Sequence, residues 1–328
     1  MEIQKTKKEH YVPRCYLKRW IKEKEQINVF DLLNNKNWIS NIENVASERY
    51  FYDMDYSELS KKALELLHEH EIYPENDEQF VEHFFSMQVE DEYSKLLKKL
   101  VDNDITPWYE NNCFFISLQD KLKLSICLTY QLIRSKQVRN MIRDSSSLLE
   151  KFMKDINVCE KTIKKYTLRE GDEKFIQGNM FFNIDKIFDL VLSFYRLSWT
   201  LGVNRTNFSL FTSDNPIGMY PHIKNSMITM NGIGSPGIEV YFPLSPQYIL
   251  IMWDSNYHKG LKILDRRYIS LTDSEVKRYN SLCVYNCSQY IYSKEKDFGI
   301  VEKFINDNPN YVKMNISISY GGKTYTPE

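Results

Sequence analysis

Glycine and proline are scarce, 11 and 10 among 328 residues, which excludes collagen-like and low-complexity chains. No stretch reaches the roughly 18 consecutive apolar residues of a membrane-spanning helix. The nearest, 187–201, is broken by Asp189, Ser193 and Arg196. The first residues are charged and no apolar run follows them, so no secretory signal is expected and the chain reads as soluble and cytoplasmic, with no membrane partner. The six cysteines (Cys15, Cys113, Cys127, Cys159, Cys283, Cys287) contain no CxxC pair and read as buried thiols in a reducing compartment. Cys283 and Cys287 stand four apart, but two thiols without neighbouring histidines make a poor zinc site. Also absent are HExxH, a glycine-rich phosphate loop, a GxSxG elbow and zinc-finger spacing, so zincin, P-loop and α/β-hydrolase chemistry have no basis in the sequence. Nor is there an excess of one charge: 43 basic and 44 acidic side chains leave a net −1. A polyanion would have to be met by a local patch.

What the chain does have is 42% hydrophobic and 14% aromatic residues, enough for a sizeable core. Its charge is segregated. Residues 1–25 hold eight Lys and Arg against four acids, residues 63–94 hold ten acids and no Lys or Arg, and residues 119–143 hold six cations against Asp120 alone. Either the acidic stretch docks on the basic segments inside the fold, or the two basic segments converge on an anionic ligand.

Apolar periodicity predicts helices over 57–70, 77–102 (with Asp77 as its N-cap), 119–143 and 186–201. Short β-branched or aromatic runs predict extended segments at 27–32, 49–52, 208–212, 238–242, 248–253 and 290–292. A helix returns over 272–287, capped by Thr272 or Asp273 with Glu275 in its first turn. Residues 225–237, with Gly232, Gly234, Pro236 and Gly237, are the most loop-like and read as a flap near a site. The expectation is an α+β fold. A central helical bundle packs on a C-terminal mixed or antiparallel sheet, and an N-terminal arm contributes to the site. No linker divides the chain, so 1–328 reads as one domain: arm and short strands to 56, mainly helices over 57–205, mainly strands over 206–328.

Three constellations carry chemistry. His10 stands among aromatics and cations in a run from His10 to Trp20, and neighbouring cations favour its neutral, base-competent form. On the 119–143 helix Gln131 centres an apolar stripe, and a buried amide needs partners. Arg134 and Arg139 flank it by roughly 60° and 80° at 100° per residue, a pair of guanidinium forks suited to phosphate or carboxylate, or to the acidic 63–94 stretch. Thr212-Ser213-Asp214-Asn215-Pro216 presents a polar cluster from the end of an extended run, as an active site or as an ordinary Asx turn. His68 and His70 point about 200° apart on a helix, so with His83, Glu82, Glu90 and Asp91 they make only a weak metal set.

Together, His10-Tyr11-Val12-Pro13 with Tyr16, Leu17 and Trp20, Gln131-x-x-Arg134 with Arg139, Thr212 to Pro216, and Phe242-Pro243-Leu244-Ser245-Pro246 resemble a bacterial family catalogued as domain of unknown function 4238. Arg49 to Tyr52, the Glu90 region, and Asn280 before Tyr290 to Ser293 extend the resemblance over nearly the whole chain. It implies that His10, Gln131, Arg134, Arg139, Asp214 and Asn215, which match recurring family positions, converge on a site. Cys15 and the Lys-rich N-terminal segment depart from the pattern, which leaves the substrate open.

The resulting expectation is a phosphate-handling enzyme, a nuclease on RNA or DNA of the toxin or phage-defence type, with a partner protein of a defence operon as a further expectation. His10, Arg134 and Asp214 are its catalytic candidates. Arg14, Gln131, Arg139, Ser213 and Asn215 are its substrate-binding candidates. A Mg²⁺ ion would be held by Asp214 or Glu90. The alternative is a non-catalytic sensor that holds a nucleotide or a partner on the same arginines.

Overall fold

The computed structural model describes residues 8–102, 114–223, 232–308, 318–320 and 323–325. The architecture is α+β. Strands β1 (Lys8–His10), β2 (Gln26–Asp31), β3 (Lys36–Asn41) and β4 (Ser47–Arg49) form the N-terminal part. Then come β5 (Ser198–Asn204), β6 (Thr212–Ser213), β7 (Gly218–Pro221), β8 (Ile238–Ser245), β9 (Tyr248–Trp253), β10 (Arg267–Leu271), β11 (Tyr290–Ser293), β12 (Ile318–Tyr320) and β13 (Lys323–Tyr325). The largest sheet runs β10-β5-β9-β8-β7 and is mixed, because β10 pairs parallel to β5 while its other pairs are antiparallel. A second sheet, β3-β2-β11-β6, sews the N-terminal hairpin to the C-terminal half. β1 pairs with β4, and β12 with β13.

β5 and β8 are buried along their whole length. The near-continuous apolar run of β8 suits a strand covered on both faces, whereas β5 alternates, and its buried Thr200 and Asn204 are satisfied by hydrogen bonds to Ile251 O and to Phe208 O and Pro246 O. One hydrophobic cluster joins Val12, Tyr16 and Trp20 of the arm, Phe85, Leu97 and Leu128 of the helices, and Trp199, Phe242 and Ile251 of the large sheet. The arm is therefore a core element.

Several expected boundaries move, each for a local reason. The periodic 119–143 segment is two helices, Leu118–Ile133 and Lys136–Asp155. Ser135 adopts extended backbone (φ −65°, ψ 149°), and its Oγ accepts the Val138 N–H at 3.3 Å, so it caps the second helix. Arg134 and Arg139 thus lie on different helices, and the single-helix angles do not apply. The helix expected from 186 ends at Arg196, and 198–201 opens β5. Over 77–102 the first helix begins at Phe80, with Gln79 at the N-cap position, and Asp77 instead closes a turn on the Gln79 N–H and pairs with His83. A π-turn, Phe85–Glu90, interrupts that run before the helix Asp91–Val101.

The 57–70 helix is Lys61–Glu69, capped by Ser60. Of 49–52 only Arg49 is strand, since Tyr50 turns the chain at φ 52°. Of 208–212 only Thr212 is strand. Asn280 takes the place of a neighbouring strand there, donating to Ser209 O and accepting from Phe211 N, both at 2.8 Å. The helix Asp273–Asn286 carries the expected Thr272–Glu275 capping box. In the expected flap, 225–231 lie outside the described residues, and 232–237 form turns.

Not every cysteine is buried. Cys127, Cys283 and Cys287 are, Cys15 is half-buried and Cys159 is exposed, while Cys113 lies outside the described residues. Among the described residues no helix is long and apolar enough to cross a membrane.

Candidate functional site

The arm is built around main-chain carbonyls and one buried tyrosine. Tyr16 donates its hydroxyl to Pro243 O at 2.7 Å, and because that carbonyl can only accept, the Thr212 hydroxyl donates to Tyr16 at 2.5 Å. Tyr16 also stacks on Phe242 at 5.1 Å. Three separate motifs of the chain therefore meet at this one side chain.

Arg134 follows the last residue of the helix Leu118–Ile133 and is 1% exposed. Its Nε donates to the Tyr52 hydroxyl (2.9 Å), Nη1 to Glu90 (2.8 Å) and Nη2 to the His10 carbonyl (2.5 Å). The guanidinium lies 4.3 Å from the Phe85 ring centre. Burial works against its charge, but Tyr52, Glu90 and Glu82 outweigh burial and hold it more firmly protonated than usual. Phe85 and Glu90, the ends of the π-turn, both touch this arginine, in keeping with the concentration of π-turns at functional positions. Gln131 donates to the Tyr11 carbonyl at 3.2 Å, while its own oxygen is buried with no partner among the described residues.

The His10 ring is half-buried. Its Nε2 lies 3.3 Å from Ile42 O, which assigns the proton to that nitrogen and leaves Nδ1 as the acceptor. Burial, then the cations of Arg14 and Arg134, push its pKa below the usual histidine value against the pull of Ile42 and Glu90. His10 is thus biased toward the neutral form.

Arg139 donates to Gln177 at 2.7 Å and lies over the Phe51 ring at 3.5 Å, and burial lowers its pKa to about 10. Gln177, fully buried, donates in turn to Ile133 O and Ser135 O and so braces the helix break. Asp214 accepts the backbone N–H groups of Ser288, Gln289 and Tyr290 at 2.7–3.1 Å. Ser213 bonds across its own turn to Asn215, and Asn215 donates to Asn286 O at 3.0 Å and to Gln137. Tyr11 links the two groups: Gln131 holds its carbonyl, and burial followed by the Asp214 charge keeps its phenol protonated.

His10, Gln131 and Arg134 are therefore brought together, Asp214 lies within electrostatic reach through Tyr11, and Arg139 is tied to the neighbouring helix. In this arrangement the polar groups of Arg134 and Asp214 bind the protein's own backbone and side chains. Glu90 pairs with Arg134, and Glu92 with Lys123 at 2.8 Å, so the acidic stretch does dock on the basic helix. Among the described residues no group of three or more His, Cys, Asp or Glu is arranged to hold a metal ion.

Arg14 lies within electrostatic reach of His10. It pairs with Glu43 at 3.1 Å and lines an open cleft of about 500 Å³ with Cys15, Lys18, Arg19 and Ser94. Arg14 Nε is buried with no partner among the described residues. Arg19 pairs with Asp102. Burial, then Glu90, pushes the Cys15 thiol up to about 12, so it lines the cleft as an un-ionised group.

Lys18, Arg19 and Ser94 went unrecognised as cleft residues in the sequence, and the buried Glu9 and Gln177 were not singled out there at all. The helical spacing of Arg14 and Lys18, i and i+4, is the signal that could have pointed to a shared face. Neither a curated protein nor a solved structure matches the chain. A family match does, running from β1 to just past β11: residues 8–297 place the chain in the family described as Protein of unknown function (DUF4238).

Proposed function

We propose that this chain handles a phosphate-bearing ligand, a nucleotide or a segment of nucleic acid, in the cleft between Arg14, Lys18 and Arg19. The observation that carries this reading is the lining itself: Arg14, Lys18 and Arg19 with the Ser94 hydroxyl and the Cys15 thiol around about 500 Å³ of open space, the three cations being balanced by Glu43 and Glu25 at 3.1–4.0 Å and by Asp102. That volume is in the range of small-ligand pockets. Arginine forks suit phosphate oxygens, and the orphaned Arg14 Nε is a donor in want of an acceptor.

A hydrolytic form of this reading, a nuclease, is favoured by one observation: His10, biased toward its neutral form, lies within electrostatic reach of Arg14, and its carbonyl is held by Arg134. There His10 is the general base and Arg134 a positioning residue. The internal engagement of Arg134 and Asp214 favours binding without turnover. Short RNA and DNA oligonucleotides and AMP, each with and without Mg²⁺, test both forms by thermal stabilisation and product analysis. Stabilisation that is lost in an Arg14→Ala/Arg19→Ala variant is the expected result; stabilisation unchanged in that variant contradicts the cleft. Product formed by the native chain and lost in His10→Gln, with binding retained, assigns turnover to His10, and no product leaves the binding form.

A further inference from the structure

Away from the arm, one end of the large sheet gathers aromatic rings around a buried charge. Tyr220 of β7, Glu239 of β8 and Trp253 of β9 stand opposite one another in register, so the three share one face. Glu239 is fully buried. Its carboxylate accepts Nη1 and Nη2 of Arg278 at 2.9 and 2.7 Å and the Tyr279 hydroxyl at 2.8 Å. Arg278 alone supplies the counter-charge, in the two-pronged geometry that suits a carboxylate. The remaining bond goes to His222, the residue after β7, whose Nε2 lies 2.7 Å from Glu239. An ionised carboxylate only accepts, so Nε2 carries the proton. With the charge already matched by Arg278, the neutral ring keeps its lone pair on Nδ1.

His258 is the second ring with a nitrogen to offer. Its Nε2 is buried and has no partner among the described residues, a costly position for a polar atom. The centres of the two imidazoles are 4.7 Å apart, and the rings stand at 82° to one another. Tyr220 lies 5.1 Å from His222, and Trp253 and Tyr257 lie 5.2 and 4.7 Å from His258, so aromatic rings surround the pair.

We propose that His222 and His258 together hold a late first-row divalent ion of the class of Zn²⁺, with Glu239 orienting His222 from behind. Imidazole nitrogen is a donor that such ions take readily, whereas Mg²⁺ and Ca²⁺ call for oxygen. Two imidazoles on one ion, at about 2.0–2.1 Å for each Zn–N bond, hold their ring centres roughly 5 Å apart, close to the separation found here. A carboxylate behind a ligating histidine fixes its tautomer, which Glu239 already does. The described residues hold no cluster of three or more ligands, so this site has two protein donors, and water or a bound anion takes the other positions. The ion would therefore be open to a ligand. This inference does not depend on the phosphate cleft at Arg14.

The test is calorimetric titration with Zn²⁺ of the untagged chain after dialysis against EDTA, together with NMR spectra that resolve the rings of its six histidines. One Zn²⁺ per chain should bind, and the first equivalent should move the ring signals of His222 and His258 together. His258→Gln leaves the Glu239 network intact and should weaken binding at least about tenfold, and Glu239→Gln should weaken it about 10–100-fold. Absence of binding by the native chain, His222 and His258 signals that stay in place, or an unchanged affinity in His258→Gln overturns the proposal. Should a variant not melt as the native chain does, the ring signals of the native chain decide alone.

Discussion

The guanidinium of Arg134 holds the main-chain carbonyl of His10, and the imidazole of His10 is left to the Ile42 carbonyl. Two of the three catalytic candidates are thus joined through the backbone. Arg134→Ala would leave the Glu90 carboxylate without its ion pair and take one donor each from the Tyr52 hydroxyl and from that carbonyl, which would keep only their bond to one another. We expect a loss of about 3–5 kcal/mol in urea unfolding. Arg14→Ala, at a half-exposed ion pair, should cost no more than about 1 kcal/mol.

Stability should fall as pH rises from the ordinary carboxyl value of 4.5 to about 7. Glu82 is raised to about 7 by burial first and by Glu90 and Glu9, against the pull of Arg134. Over that window the folded chain keeps a proton that the unfolded chain has lost. The contribution is full below 4.5, declines by roughly 1.4 kcal/mol per pH unit per group, and is gone above about 7. Urea midpoints measured across this range in a His10→Gln background, which removes the opposite contribution of a histidine whose pKa is lowered, should show the decline, and Glu82→Gln should remove about half of it, Glu9, raised to about 7 by burial first, supplying the rest.

Ser135→Ala removes the cap that starts the second helix beside Arg134. A loss of about 1 kcal/mol in thermal or urea unfolding is expected. A variant as stable as the native chain would show that Gln177 alone maintains the break.

Among the described cysteines, Cys159 should react first. It is exposed, and hydrogen bonding from Thr162 pulls its pKa below the usual thiol value. Peptide mapping after brief iodoacetamide treatment should find it labelled at least ~100-fold faster than buried Cys127, Cys283 and Cys287.

How much of this was legible in the sequence depends on whether the cause was local. β9 and the capped helix Asp273–Asn286 were readable because an unbroken apolar run and a Thr-x-x-Glu box act within a few residues. The break at Ser135 was not, because one capping serine competes with apolar periodicity that continues on both sides. β3, Lys-Asn-Trp-Ile-Ser-Asn, shows no clean alternation, and only its pairing with β2 makes it a strand. That Gln131, Arg134 and the arm would meet could be anticipated from their chemistry and family resemblance. That they meet at carbonyl oxygens could not, since every residue carries that acceptor and the sequence does not mark which one is used.

The cleft is tested most directly by fluorescence anisotropy of a labelled single-stranded RNA oligonucleotide titrated with the chain at several salt concentrations. Contact with Arg14, Lys18 and Arg19 predicts saturable binding whose logarithmic salt slope is about −2, at ~0.7 per phosphate contact. Binding should vanish in Arg14→Ala/Lys18→Ala/Arg19→Ala while the fold persists. Absence of binding by the native chain, or equal affinity and slope in the triple variant, would contradict a phosphate ligand in this cleft.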